Sequence, residues 1–447
     1  MRSLPGYQRP ALRQELPHEG DTLYGREEVK HILIIGNSAA GITAAENIRK
    51  ADKSAKITIL SSEDYTGYNR CLISYLLAGD IKEDKLIYRS KSFYADNLIT
   101  LQLNKKAARI DPKKNQVVLE DKSRVDYDIL ILANGASPKF PEIKGIQKSG
   151  VFGFRTIRDA LGMLELVPIA HTACILGGGL IGLKAAYGLK KKGLDVKVVV
   201  KSSQILSQVL DKYASEMFKR RFTENGVEII SGSDCGEVIG NGDAKAIKLD
   251  SGKVIACSLV VVGKGVKPNI GLLEGSGIQC DEGALVNEYM RTNIANIYAA
   301  GDIAQTYDPI LERPAVNALW PNAIEQGMAA AQNISGEKKA YAGSVGMNSV
   351  QFFGLPVISF GITRPLNEGY EELSSRDITN DIYKKIVLKD NIVKGAIFVN
   401  RIENIGILLK LARLKIDVGP IKDKLLRPDF NFALTRDLAY DKEEFYL

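Results

Sequence analysis

Apolar residues in this chain cluster in short unbroken runs. His31-Ile-Leu-Ile-Ile35 leads into Gly36-Asn-Ser-Ala-Ala-Gly41, then into helical spacing from Ile42 to Lys50, then into Ile57-Thr-Ile-Leu60. Runs of this length suit strands buried on both faces of a parallel sheet, so the order predicts a strand–helix–strand unit. The pattern returns as Cys174-Ile-Leu176, Gly177-Gly-Gly-Leu-Ile-Gly182, a helix through Leu189, and Val196 to Val200. Two apolar stretches ending in small residues, Tyr127 to Ser137 and Leu259 to Gly265, close the respective units. The fold class predicted is α/β, with two Rossmann-like dinucleotide-binding domains.

Past residue 336 the pattern changes. Lys385 to Leu388 and Val393 to Val399 alternate and are separated by Lys389-Asp390-Asn391, which reads as a hairpin with its turn there. A helix is expected from Ile402 to Arg413, giving a small α+β domain. Residues 1–28 are polar, carry prolines and lack periodicity, and are expected to form an arm. The expected division is a first nucleotide domain over 29–148 and 280–335, a second over 149–279, and the α+β domain over 336–447. A length of 447 residues suits about three domains.

Composition narrows the function. With 60 basic and 53 acidic residues the net charge is +7, a mildly basic surface and no nucleic-acid footprint. Lys190-Lys191-Lys192 reads as a solvated helix end. No apolar run is long enough for a membrane span, and the first 30 residues have no secretory pattern. Cys71, Cys174, Cys235, Cys257 and Cys280 are dispersed, with no Cys-x-x-Cys or Cys-x4-Cys pair. That argues against a local redox disulfide or a cysteine-rich metal site and suggests a reducing compartment, the cytoplasm. His18, His31 and His171 sit in no metal or hydrolase motif, so no metal is expected.

A glycine-rich turn between strand and helix lets backbone approach a pyrophosphate, which rests on the helix N-terminus. The first turn carries Gly36, Ser38 and Gly41, with Ser38 in place of the central glycine. The second is complete, with Gly177, Gly179 and Gly182. Two such turns in one chain outweigh either alone. Thr292 to Asp302 adds a strand ending in Ala-Ala-Gly-Asp.

These residues resemble the two-dinucleotide-fold flavoprotein reductases of the pyridine nucleotide–disulfide oxidoreductase superfamily. In that family the aspartate matched by Asp302 holds the ribityl chain of FAD. The Ala133-Asn134-Gly135 loop resembles the family's Ala-Thr-Gly loop, with Asn134 for Thr. Gly265-Val-Lys-Pro-Asn269 resembles the segment that closes the nicotinamide domain, and the helix containing Ala323 resembles the one whose N-terminus points at the flavin. The resemblance implies FAD contacts from Ala39, Ala40, Arg70 and Ala107, and from Ala133, Asn134, Gly135, Gly301 and Ala323. It implies NAD(P) contacts from Leu180, Ile181, Gly263 and Gly265 beside the glycine turn. Asn348 to Gly361 and Tyr383 to Asp390 look like the C-terminal domain of rubredoxin reductases and nitrite-reductase flavin modules, and resemble ferredoxin–NAD(P) oxidoreductases.

The chain departs from the pattern at several places. Ser61 stands where an acid usually meets the FAD ribose, and Glu63 is the substitute candidate. Val200 stands where NAD users place a carboxylate, and Lys201 follows; this resembles the NADP pattern, with NAD left open. Lys184 replaces a common Glu. Cys71 lies where single-cysteine relatives keep a redox thiol and carrier-protein reductases keep an inert residue. Two readings therefore stand. One is an FAD-dependent NAD(P)H oxidoreductase serving an iron–sulfur carrier of ferredoxin or rubredoxin type. The other is a thiol-dependent reductase of CoA disulfide, persulfide, peroxide or oxygen, with Cys71 as catalytic residue. A non-catalytic flavin subunit is a third class, opposed by the intact second turn. The resemblance leaves open a homodimer built through the C-terminal domain.

Overall fold

The computed structural model describes residues 29–438, and the expected arm over 1–28 lies outside them. The chain begins with β1 (His31–Ile35), α1 (Ala39–Ala51) and β2 (Lys56–Leu60). Ile32 to Ile35 are all buried, as expected for a strand covered on both faces. A short helix, α2 (Ile73–Ala78), precedes β3 (Ile99–Gln102) and β4 (Ile129–Leu132).

The second unit opens with β5 (Val151–Phe152) and α3 (Ile157–Leu166), the latter started by a capping box between Thr156 and Asp159. There follow β6 (Thr172–Leu176), α4 (Leu180–Lys191), β7 (Asp195–Val200), α5 (Lys212–Glu224), β8 (Val227–Ser231) and β9 (Leu259–Val262). These strands form a parallel sheet in the order β8-β7-β6-β9-β5. The chain then returns to the first unit through β10 (Ile297–Ala299) and α6 (Trp320–Ile334). The first sheet is completed in the order β10-β4-β1-β2-β3, again parallel. In each sheet the glycine turn follows the central strand, the switch point at which open α/β sheets bind ligands.

The last part is an antiparallel sheet of β11 (Met347–Phe352), β12 (Leu355–Gly361), β13 (Glu371–Asp377), β14 (Ile382–Lys389) and β15 (Ile392–Val399), in the order β11-β12-β15-β14-β13. Lys389 pairs with Ile392, so the turn holds only Asp390 and Asn391, both at positive φ (51° and 58°). This corrects the expected three-residue turn; a two-residue turn with positive φ matches the twist of its strands. Helix α7 (Ile405–Arg413) starts after Asn404 in the left-handed conformation, later than Ile402.

One face of this sheet continues the core of the second unit. Phe352, Val357, Tyr383 and Val399 pack with Phe218, Phe222, Leu183 and Leu189. Asp211 fastens the seam: one carboxylate oxygen caps α5 at the Ala214 N–H (3.0 Å). The other accepts from the Tyr383 hydroxyl (2.6 Å) and faces the buried Lys385 ammonium (3.4 Å). The other face of the sheet packs against α7. No helix among the described residues is long and apolar enough to cross a membrane.

Candidate active site

The first cleft opens where β1 enters α1. Gly36 has φ +123°, and a Cβ there would fall 2.0 Å from the Ala133 carbonyl oxygen. A Cβ on Gly41 would fall 2.0 Å from the Gly36 carbonyl oxygen. Only glycine permits either contact. Ser38 is the N-cap of α1 but makes no side-chain cap bond, which leaves its hydroxyl and the first helical N–H groups for a ligand. Ala40 and Ala323 both approach Gly301: a Cβ on Gly301 would lie 3.1 Å from the first and 3.6 Å from the second. The first turns of α1 and α6 thus flank the Gly301-Asp302 corner. Gln326 fixes it by accepting from the Gly301 N–H at 2.8 Å. Ala39 and Ala40 are buried in the first turn of α1, and Ala107 begins a separate small antiparallel sheet.

Asn134 and Asn269 join the two units. The Asn134 amide donates to the Asn269 carbonyl (3.0 Å) and the Asn269 amide donates to the Asn134 carbonyl (2.7 Å). The Asn134 side-chain oxygen is left buried and unpaired, as are the Asn37 amide nitrogen and the Thr43 hydroxyl. Buried polar atoms without partners are costly, and these belong to the turn, the helix and the loop that line one cleft. Orphaned polar atoms, uncapped helical N–H groups and glycines with no room for a side chain fit FAD.

Glu63, the candidate for the ribose, is engaged by neighbouring side chains. Its carboxylate accepts from the Tyr68 hydroxyl (2.7 Å) and is bonded to Arg70. Arg70 also donates to the Arg155 carbonyl (3.2 Å). Arg155 was not singled out by any sequence pattern, yet its guanidinium bonds Asp302 and donates to the Ala136 carbonyl (3.1 Å). A single arginine before a capping box carries no signal of its own.

The second cleft repeats the first. Gly177 has φ +120°, and a Cβ on Gly182 would lie 2.0 Å from its carbonyl oxygen. Gly263 closes on Gly182, with 2.6 Å between a Cβ there and the Gly182 Cα. Gly179, the N-cap of α4, differs: a Cβ on it would meet nothing nearer than 3.9 Å, so its open side is free for a ligand. Leu180 and Ile181 follow in the uncapped first turn. Val200 is buried at the end of β7, while Lys201 is exposed and makes no hydrogen bond or ion pair with another described residue. The Ser202 hydroxyl is engaged by the Gln204 carbonyl (2.7 Å). Gly265 (φ +84°) lies beyond β9.

Cys71 lies between the clefts with an exposed thiol, and its N–H donates to the Asn69 side chain (3.0 Å). Surrounding protein atoms push the thiol pKa up; Lys184 works against this, Asp302 reinforces it, and Arg155 works against it. The adjacent Arg70 is bonded to Glu63. The cation set against the thiol is Lys184 from the other unit, whose own pKa is lowered by burial and raised by Cys71. Cys174 and Cys257 lie in one core cluster, where the neighbouring Cys257 thiol and desolvation push the Cys174 thiol up. Cys280 is exposed.

The chain matches the family described as pyridine nucleotide-disulphide oxidoreductase over residues 30–327, and the rubredoxin NAD+ reductase C-terminal domain over 347–416. It is 31% identical over 402 residues to the assimilatory nitrate reductase electron transfer subunit of Bacillus subtilis, covering 90% of this chain and 51% of that protein. It therefore spans about half the length of that relative. It is 31% identical over 397 residues to the NADH-dependent phenylglyoxylate dehydrogenase subunit epsilon of Aromatoleum evansii, covering 88% of this chain and 94% of that one. A solved NAD-dependent persulfide reductase from A. fulgidus superposes with TM-score 0.82 at 25% identity, covering 89% of this chain and 79% of that chain. With two glycine turns, a Gly-Asp corner and these matches, the chain belongs to the pyridine nucleotide-disulphide oxidoreductase family, NAD(P)H oxidoreductases that carry FAD.

Proposed function

We propose that this chain moves electrons between a nicotinamide coenzyme and a one-electron iron–sulfur carrier protein of the ferredoxin or rubredoxin type. The observation that carries the reading is the state of Cys71. It is the one cysteine between the clefts among the described residues, and its surroundings favour the protonated thiol, which is the unreactive form. The rubredoxin-reductase-type C-terminal segment supports the same reading. Bound FAD supplies the conversion between two-electron and one-electron chemistry. The chain's part is to hold: Ser38 to Gly41 and Asp302 grip one nucleotide, Gly179 to Gly182 the other, and the Asn134–Asn269 pair keeps the two clefts in register. Val200 and Lys201 support NADP(H) over NAD(H), since a buried valine leaves no carboxylate to repel a 2′-phosphate and Lys201 is an unengaged cation. A net charge of +7 suits an acidic carrier, and free cysteines suit a reducing compartment such as the cytoplasm.

The second reading, a thiol-dependent reductase of disulfides or persulfides, rests on the exposure of the Cys71 thiol opposite the Lys184 ammonium. Steady-state oxidation of NADPH and NADH with ferredoxin, rubredoxin, CoA disulfide and oxygen separates the two. Fast turnover with an iron–sulfur acceptor and slow turnover with CoA disulfide is expected. The reverse order overturns the carrier reading.

A further inference from the structure

Charges at the junction of the two clefts come in pairs, with one exception. Arg70 is bonded to Glu63 and Arg155 to Asp302. The Lys184 side chain makes no hydrogen bond or ion pair with another described residue. Helix packing fixes its place. Helices α2 and α4 run side by side in the same direction: a Cβ on Gly188 would lie 3.1 Å from Leu77, one on Gly79 would lie 2.6 Å from the Lys192 ammonium, and Asp80 bonds Lys191. Carried back along both helices, this register sets Cys71, just ahead of α2, opposite Lys184 in the second turn of α4. Lys184 acts on that thiol, and so do Asp302 and Arg155 of the first cleft, so Cys71 lies between the two sets of charges. The ammonium thus belongs to the helix whose N-terminus faces the second cleft, and it is set against Cys71 at the junction. The helix N-terminus adds positive charge there.

The nicotinamide ring changes charge when it reacts. Oxidation removes two electrons and one hydrogen nucleus, leaving the ring at +1, while the reduced ring is neutral; the rest of the coenzyme is unchanged. A fixed, uncompensated cation at the junction disfavours the oxidised form alone. We propose that Lys184 biases the site toward reduced coenzyme, so that the protein binds NAD(P)H more tightly than NAD(P)+. This rests on the reading that the coenzyme binds at the Gly177–Gly182 turn with its ring at the junction.

The test uses the FAD-loaded protein and two probes: NADP+ and 1,4,5,6-tetrahydro-NADP, whose ring is neutral and cannot pass on its hydrogen. Equilibrium titration calorimetry gives a dissociation constant for each. The wild type is expected to bind the neutral probe more tightly. Lys184→Gln is expected to reduce that preference by about tenfold and Lys184→Glu by about a hundredfold, as removal and then inversion of a nearby charge require. Lys184→Arg keeps the preference, which separates charge from shape. Bound FAD per chain, read from the visible spectrum, reports whether each variant is folded. An equal ratio of the two constants in wild type, Lys184→Gln and Lys184→Glu overturns the proposal while leaving the coenzyme site intact. A wild type that binds neither probe overturns the underlying site, and the proposal with it.

Discussion

Gly41→Ala and Gly182→Ala place the same methyl in the same position of the two turns, and they should separate the two cofactors. In each case the new carbon would sit 2.0 Å from a backbone carbonyl oxygen, that of Gly36 or of Gly177. Favourable contact begins near 3.5 Å, so the helix must withdraw by about 1 Å or more. No flexible side chain can give way, because the next atoms are the carbonyl carbon at 3.1 Å and a branched strand residue, Ile34 at 3.2 Å or Ile175 at 3.3 Å. Overpacking of this kind costs about 1–3 kcal/mol of stability. The larger effect falls on binding, since the displaced helix carries the N–H groups that meet the phosphates. Losing one or two charge-assisted bonds at roughly 1.5–3 kcal/mol each lowers affinity about a hundredfold. Gly182→Ala is expected to purify with a full complement of FAD, to be bleached normally by dithionite, and to bind NADPH about a hundredfold more weakly. Gly41→Ala is expected to purify largely without flavin. Flavin per chain from the visible spectrum, NADPH affinity from fluorescence titration, and a denaturation curve for each variant suffice. Wild-type NADPH affinity in Gly182→Ala, or equal loss of both cofactors in both variants, would refute the assignment of one cleft to each nucleotide.

Asp302→Ala should weaken FAD retention by roughly tenfold or more, because the cleft loses an acceptor and Arg155 loses its counter-charge; flavin release on dilution measures this. Lys201→Glu should erase or reverse a preference for NADPH over NADH, and unchanged KM values for both would show that this side chain does not reach the coenzyme. Cys71→Ser should leave NADPH oxidation by an iron–sulfur acceptor nearly intact and abolish turnover of CoA disulfide, since loss of a nucleophile removes that path entirely; loss of both activities in a flavin-loaded variant would contradict the carrier reading. Asp211→Ala should lower stability by about 2–4 kcal/mol in chemical denaturation, through a lost helix cap and a buried Lys385 left with only Glu372.

The strands were legible because burial on both faces leaves no room for polar residues. His31 to Ile35 and Val196 to Val200 therefore stood out as unbroken runs, and both are strands. The glycine turns were legible because backbone meets backbone there, and only one residue type allows it. The hairpin was legible in kind but not in register: Lys389 looks like a turn residue, yet it pairs with Ile392. The helix start was misplaced for a similar reason, since a polar Asn404 in the left-handed conformation ends the preceding loop without marking the sequence as a proline would. Contacts between distant segments were hidden. Nothing near Arg155 announces Asp302, 147 positions away, and nothing near Glu63 announces that Arg70 and Tyr68 would claim its carboxylate. Lys184 showed itself only as an unusual residue; its relation to Cys71 required the packing of α2 on α4.

The shared core between the second unit and the antiparallel sheet has a consequence for the order in which the protein can form during synthesis. Phe218 and Phe222 have no complete cover until Phe352, Tyr383 and Val399 have left the ribosome. The first sheet also waits, for β10 joins it only after residue 297 has been made. The first unit cannot complete its sheet before residue 297, and the second, whose strands are all made by residue 262, cannot cover its apolar face until the antiparallel sheet exists, so the vectorial, domain-by-domain route open to many multidomain proteins is denied to this one. The nascent chain must carry one unfinished sheet and one uncovered apolar face past the exit tunnel, the latter exposed until synthesis is nearly complete. Chains interrupted between the second unit and the antiparallel sheet should therefore be a substrate for chaperones or for aggregation.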